Sequence, residues 1–224
     1  MHDRILAALI ASLLWVFALP AAAQTQSQAL DKFAGAYRIS VIQVFHVRTD
    51  GDSLILRPSF GPQMTLMAQG PGHFIETMSN AQFVFSDDGA TLTASNGDHV
   101  LNGRRISDAQ AQALEDAMAA RVKAGVPSPG TEDSVRRYID SLEKGAPNYD
   151  EMEPRVADEN RRQLPNQMAE IHRLGALQSL KFTSVTTNGM DVYDAAFEHG
   201  HVMVGLAPLD ADGKVEFRSW SPRG

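Results

Sequence analysis

The chain has 224 residues, 43% hydrophobic and 21% charged, with a net charge of -7 and no cysteine. This is the balance of an ordinary globular protein, with apolar residues enough for one large or two small cores. The missing cysteines exclude thiol nucleophiles, iron–sulfur sites and thiolate zinc sites. The acidic balance, with arginines only in separated pairs (Arg104-Arg105, Arg136-Arg137 and Arg161-Arg162), argues against a nucleic-acid binder.

The chain opens on Arg4, an apolar run over residues 5–19, and Pro20-Ala21-Ala22-Ala23. A charged start, a short apolar core and an Ala-x-Ala end predict a signal peptide over residues 1–23, cut after Ala23. The run is short of the roughly 20 residues that span a bilayer. The mature protein is therefore expected in the periplasm or secreted, meeting a membrane only through the uncleaved leader.

From Phe33 the pattern is β. Short apolar or alternating runs, such as Leu54 and Leu56 or Met64, Leu66 and Ala68, are separated by turn residues. Among these turns are Asp50-Gly51, Gly61-Pro62, Asp87-Asp88-Gly89 and Asn96-Gly97. Seven or eight evenly spaced strands before Ile106 predict an antiparallel meander barrel or sandwich over residues 30–105. A linking helix follows, capped by Ser107 with Gln110 in capping-box spacing. It ends at Gly125-Val126-Pro127-Ser128-Pro129-Gly130, so residues 106–130 form the linking helix and linker.

Residues 131–224 read as helices and then a curved antiparallel sheet, giving an α+β protein overall. Thr131 is read as a helix cap, with Val135, Tyr138, Ile139 and Leu142 as the apolar stripe. A third helix starts near Asp150, and Pro165 is expected to break or restart it. Asn188-Gly189, His199-Gly200 and the turn at Asp210–Gly213 separate four strand-like runs. Strict alternation puts Leu180, Phe182, Tyr193, Ala195, Phe197, Val202, Val204, Leu206, Val215 and Phe217 under the helices. It puts Lys181, Thr183, Asp194, His201, Met203, Glu216, Arg218 and Trp220 on the other face. Met203, Arg218 and Trp220 together nominate a partner-binding patch there, because Met, Arg and Trp are enriched at interfaces.

Phe33-Ala34-Gly35-Ala36-Tyr37, Asp50-Gly51, Leu54, His73-Phe74 and Phe83-Val84-Phe85 resemble a small lipocalin-like β domain. That domain lies C-terminal to exported serine hydrolases of the β-lactamase and penicillin-binding type. The second half resembles the ketosteroid-isomerase-like (nuclear-transport-factor-like, cone-shaped, cystatin-like) domain that follows it in some of them. The matching residues include Thr131-Glu132, Pro147-Asn148-Tyr149-Asp150, Arg162-Gln163-Leu164-Pro165, Leu174-Gly175-Ala176-Leu177, Asp191, Tyr193 and Phe197-Glu198. The two resemblances span nearly all of the chain after the leader. They imply fold and compartment without catalysis. The hydrolases' Ser-x-x-Lys nucleophile belongs to a large upstream domain, and neither that domain nor that motif is expected here.

Glu198-His199-Gly200-His201 is the sharpest metal candidate, but a turn at Gly200 aims the rings apart and no third ligand is evident. No metal or cofactor is therefore expected. His46, His73, His99 and His172 are isolated in sequence. Tyr138, Tyr149 and Tyr193, with Asp191 or Asp194, are the groups an isomerase-like site would use. The favoured expectation is an exported, non-catalytic binding or accessory protein, with a periplasmic serine hydrolase or another protein as partner. The alternatives are a carrier of a small apolar ligand in the barrel or cone pocket, and a cone-domain isomerase or hydratase.

Overall fold

The computed structural model describes residues 30–97 and 99–223. The expected leader and its cleavage site lie outside the described residues. Eight strands come first: β1 (Gly35–Ser40), β2 (Gln43–Asp50), β3 (Ser53–Pro58), β4 (Met64–Gly70), β5 (His73–Glu76), β6 (Gln82–Phe85), β7 (Thr91–Asn96) and β8 (His99–Ile106). Each pairs antiparallel with the next, and β8 pairs with β1, so the meander closes into a barrel without free edges.

Alternation along the strands sends Phe45, Val47, Leu54, Leu56, Leu66, Phe83 and Leu92 inward. At one end the rings of Phe33, Phe74 and Phe85 meet with centroids 5.0 to 5.7 Å apart. Tyr37 joins them edge-on at 5.5 Å from Phe85. Its hydroxyl lies 2.9 Å from the Phe33 carbonyl and 3.0 Å from that of Gly89, and accepts from Arg105 at 2.9 Å. The aromatic-x-Gly-x-Tyr opening thus ties the first strand to the β7 approach. Gly72 sits at φ 70, and a Cβ there would come within 2.8 Å of the Phe85 carbonyl, so this turn needs glycine.

The helix α1 (Asp108–Ala124) starts on the expected capping box of Ser107 and Gln110. Ala111 packs it against Ala36 and Val44 of the barrel. Then come α2 (Thr131–Glu143), a 3-10 turn (Tyr149–Glu151) and α3 (Pro154–Leu174). The last four strands are β9 (Leu177–Val185), β10 (Asp191–Phe197), β11 (Gly200–Leu206) and β12 (Arg218–Arg223), in sheet order β12-β11-β10-β9. Two register shifts interrupt the β9–β10 ladder, at Val192/Tyr193 and Ala196/Phe197. The helices and sheet share a second core that includes Val135, Ile139, Leu142, Ile171, Leu174, Tyr193, Val202 and Val204.

Three sequence expectations are corrected. The N-cap of α2 is Gly130, and Thr131 is its first residue. The Thr131 hydroxyl is committed elsewhere, to the Ser128 carbonyl, Asp191 and Tyr193 at 2.7 to 2.9 Å. Pro165 does not break α3, which runs 21 residues through it. Pro165 and Arg161 are both exposed, so the Arg161 carbonyl left without its i+4 donor faces water. Buried Val156, Ala157 and Asn160 before it, and Gln167, Ile171 and Leu174 after it, pin both ends.

The third correction concerns the last strand, which begins at Arg218 rather than Val215. Val215 pairs with Met152 instead, and Val215 and Glu216 are both buried, to opposite neighbours. Two consecutive buried residues break the alternation, so the parity of everything after them flips. Phe217 turns outward, 41% exposed. Arg218 and Trp220 pair with Leu206 and Val204 and turn inward, beneath the helices.

The two halves touch through polar and apolar contacts. Glu216 accepts from Arg38 at 2.7 Å and from the Val41 backbone N–H at 2.5 Å. Ile42 of the barrel packs with Met190 and Ala207, and Met118 of α1 packs against them. Arg121 of α1 donates to Asp191 and to Ser128, each at 2.7 Å, and the Ser128 N–H donates to Asp191 at 2.8 Å. Asp191 is fully buried, so this carboxylate gathers linker, α1, α2 and β10 onto one point.

Candidate functional site

A small cleft opens between α2, the 3-10 turn and the start of β12. It is lined by Ser134, Arg137, Tyr138, Ser141, Asn148, Glu151, Met152, Val215 and Arg218. Its volume is about 30 Å³, room for water and a small polar group. The amphipathic pattern of α2 supplies Ser134, Tyr138 and Ser141. Asn148 folds the 3-10 turn by accepting from the Asp150 N–H at 3.2 Å. That turn is clipped to the sheet side, because the Val215 N–H donates to the Glu151 carbonyl at 2.9 Å and the Glu153 N–H to the Val215 carbonyl at 3.0 Å.

Tyr138 forms the floor. Its hydroxyl lies 2.5 Å from Asn160 Oδ1 and from Gln167 Oε1. One amide accepts the proton and the other, turned over, donates its NH2. Burial pushes the Tyr138 phenol up, against the opposing effect of Arg218. The Arg218 guanidinium carbon stands 3.1 Å from the Tyr138 ring centroid, a close cation–π stack. Its Nη2 reaches the Met152 sulfur at 3.9 Å, too soft an acceptor to offset the charge.

Among the described residues no ion pair is made by Arg218, whereas Arg38, Arg121, Arg136, Arg137, Arg161, Arg162 and Arg173 all make one. Burial brings the Arg218 pKa down to about 10, which leaves it charged at neutral pH. The residue keeps a partly exposed surface and lines the cleft wall. Trp220 lies edge-on to Tyr138 at 6.4 Å, and its buried Nε1 has no acceptor. At the rim Glu151 is held by Arg137 at 3.1 Å and by Asn148 at 3.2 Å.

The structure therefore brings two of the three nominated patch residues together, Arg218 and Trp220, but on the inner face. Met203 stays on the outer face as expected, opposite Asp194, whose carboxylate meets His201 Nδ1 at 3.0 Å. Among the described residues no group of three His, Asp or Glu side chains converges on a metal-sized centre. Tyr193 and Asp191 belong to the buried network at Thr131, and Tyr149 stacks under Arg161 at 4.3 Å.

A Ser-x-x-Lys spacing does occur, at Ser141-Leu142-Glu143-Lys144, contrary to expectation. It sits at the C-terminal end of α2, where the Ser141 hydroxyl donates to the Tyr138 carbonyl at 2.6 Å. Lys144 is the exposed C-cap residue of the helix. His46, isolated in sequence, is partnered in space: its Nε2 lies 2.9 Å from Glu115 Oε1, which also accepts from Ser59 at 2.9 Å. The carboxylate sits between histidine and serine, the reverse of the order that activates a hydroxyl.

The sequence reading missed Ser134, Arg137, Ser141, Asn148 and Glu151 as one site. Pro147-Asn148 signalled the turn, but only the Met152–Val215 bridge sets that turn beside β12. Chemically the cleft is a set of donors round a positive charge, with one acidic side chain already paired at its edge. No protein-family model matches the chain, and no curated protein or solved structure matches it significantly.

Proposed function

We propose that the protein is an exported, non-catalytic binding protein that acts as an accessory to another protein. The observation that carries this reading is the packed interior of the barrel, where Phe33, Tyr37, Phe74 and Phe85 fill the space a carried ligand would occupy. A barrel filled by its own side chains works through its outer surface. The lipocalin-like reading of the barrel and the ketosteroid-isomerase-like reading of the second half support the accessory role. So does the Ala-x-Ala leader, which directs the chain to the compartment of the exported hydrolases. Met203, outward on the sheet beside Asp194, is the nominated residue that stays available to a partner.

The test is cross-linking in intact cells together with native mass spectrometry. The processed chain, beginning at Gln24, is expected to carry no apolar small molecule and to cross-link to a defined protein in stoichiometric amount. An apolar molecule retained one-to-one would overturn this reading in favour of a carrier.

A further inference from the structure

We propose that the Arg218 cleft binds a carboxylate group. The argument begins with the guanidinium. A half-buried cation without a counter-ion loses hydration it does not regain from the protein, and such groups are paired or left for a ligand. Arg218 has one face covered by the Tyr138 ring and only a thioether against its edge. Among the described residues no oxygen accepts from this guanidinium, whose one hydrogen-bond partner is the Met152 sulfur, and a guanidinium fork suits a planar, two-oxygen acceptor. Ser134 supplies a hydroxyl in the same lining, while that of Ser141 is already given to the Tyr138 carbonyl. Of the charged side chains lining the cleft, two are arginines and one is Glu151, so the local charge is positive on a chain of net charge -7.

The cleft is small and open at its mouth, so it takes a head group and leaves the remainder of the ligand outside, past exposed Arg137 and Asn148. Glu151 would oppose an incoming anion, but it is drawn to the rim by Arg137 and Asn148. The carboxylate comes either from a small molecule or from the C-terminus of a polypeptide, and both present the same two oxygens. The inference does not depend on the accessory role, since it concerns a head group whatever carries it.

The experiment titrates the chain from Gln24 onward, calorimetrically and by the fluorescence of Trp220, its one tryptophan, which lies against Tyr138. The probes are acetate, inorganic phosphate, and a short peptide with either a free or an amidated C-terminus. Acetate is expected to bind with a dissociation constant on the order of 1 mM, and more tightly than phosphate. A free-acid peptide that binds tighter than acetate, with its amide inactive, identifies a chain terminus as the source. Equal affinity for the two carboxylates identifies a small-molecule source.

Ser134→Ala should weaken acetate about tenfold. Glu151→Gln should strengthen it about threefold by removing a like charge. Arg218→Lys keeps the charge but loses the fork, and should weaken acetate more than Ser134→Ala does. The proposal is overturned if wild-type protein binds neither acetate nor the free-acid peptide, if phosphate binds better than acetate, or if folded Arg218→Lys binds acetate as well as wild type. The wild-type titrations decide the matter even where a variant does not fold.

Discussion

The two cores of this protein are built on different principles. The barrel interior is mostly apolar: among the described residues the Tyr37 hydroxyl is satisfied by carbonyls and Arg105 at the barrel end, and buried Glu76 accepts from the Met78 and Ser79 N–H groups and the Ser79 hydroxyl. The core under α2 and α3 is threaded with polar groups: Asp191, Thr131 and Tyr193 at one end, Tyr138, Asn160 and Gln167 in the middle, and Arg218 beside them. Apolar packing tolerates swaps of similar volume, whereas a buried polar network holds only when each member is present. By this contrast the first half should tolerate conservative substitution and the second should not.

The comparison is broken most severely at Asp191. Asp191→Ala leaves Arg121 buried without its partner and frees the Ser128 N–H, so a loss of about 3–5 kcal/mol is expected in urea unfolding. The same change should speed protease cleavage between Pro127 and Gly130, because Asp191 holds that linker down. Slow cleavage there in the variant would mean that apolar contacts alone secure the two halves. In the barrel, Phe74→Ala should cost about 3–5 kcal/mol through a cavity, with the cleft's ligand affinity unchanged.

Smaller effects sharpen the contrast. Trp220→Ala should cost about 3 kcal/mol, the loss for a packed aromatic, since Trp220 lies against Tyr138 and not on an outer patch. A change of melting temperature near zero would return it to the surface. Tyr138→Phe removes a hydroxyl shared by Asn160 and Gln167 and should cost about 1–3 kcal/mol, while conservative apolar swaps in the barrel cost less.

The smallest effect concerns α1 on the barrel. Burial raises the Glu115 pKa, but hydrogen bonds from His46 and Ser59 outweigh it and hold the carboxyl below its ordinary value. A depressed folded pKa contributes stability above the unfolded value of about 4.3, and that contribution is lost as pH falls through the folded one. The stability difference between wild type and Glu115→Gln should therefore be constant near neutrality and shrink on acidification. A difference that grows at low pH would contradict the assignment.

Much of the fold was legible because it rests on local signals. Turn residues at even spacing marked seven or eight strands where the barrel has eight, Ser107 and Gln110 marked the start of α1, and Asn188-Gly189 marked the β9–β10 connection. The parity of the last strand was not legible. Glu216 looks like an outward residue in a period-two pattern, and only the barrel's Arg38 and Val41, some 175 residues away in sequence, make it a buried one. That single displaced residue moved Arg218 from a supposed surface to the cleft and Trp220 to the core beside Tyr138. The cleft itself was hidden for the same reason. Its walls come from α2, a short turn and β12, and no local pattern reports which of them meet.

The sheet order has a consequence for how the molecule survives at high concentration. The barrel has no open border, but among the described residues β9 ends the sheet with one side unpaired, over nine residues. A flat strand of that length would template a neighbouring chain. Here Gln178, Ser179, Lys181, Thr183 and Ser184 make it polar, and the two register shifts against β10 put local twist into it. The same irregularities that unsettle a sequence-based register thus act as a guard against ribbon-like self-assembly. Straightening β9, or replacing Lys181 with an apolar residue, would be felt first in the test tube as turbidity.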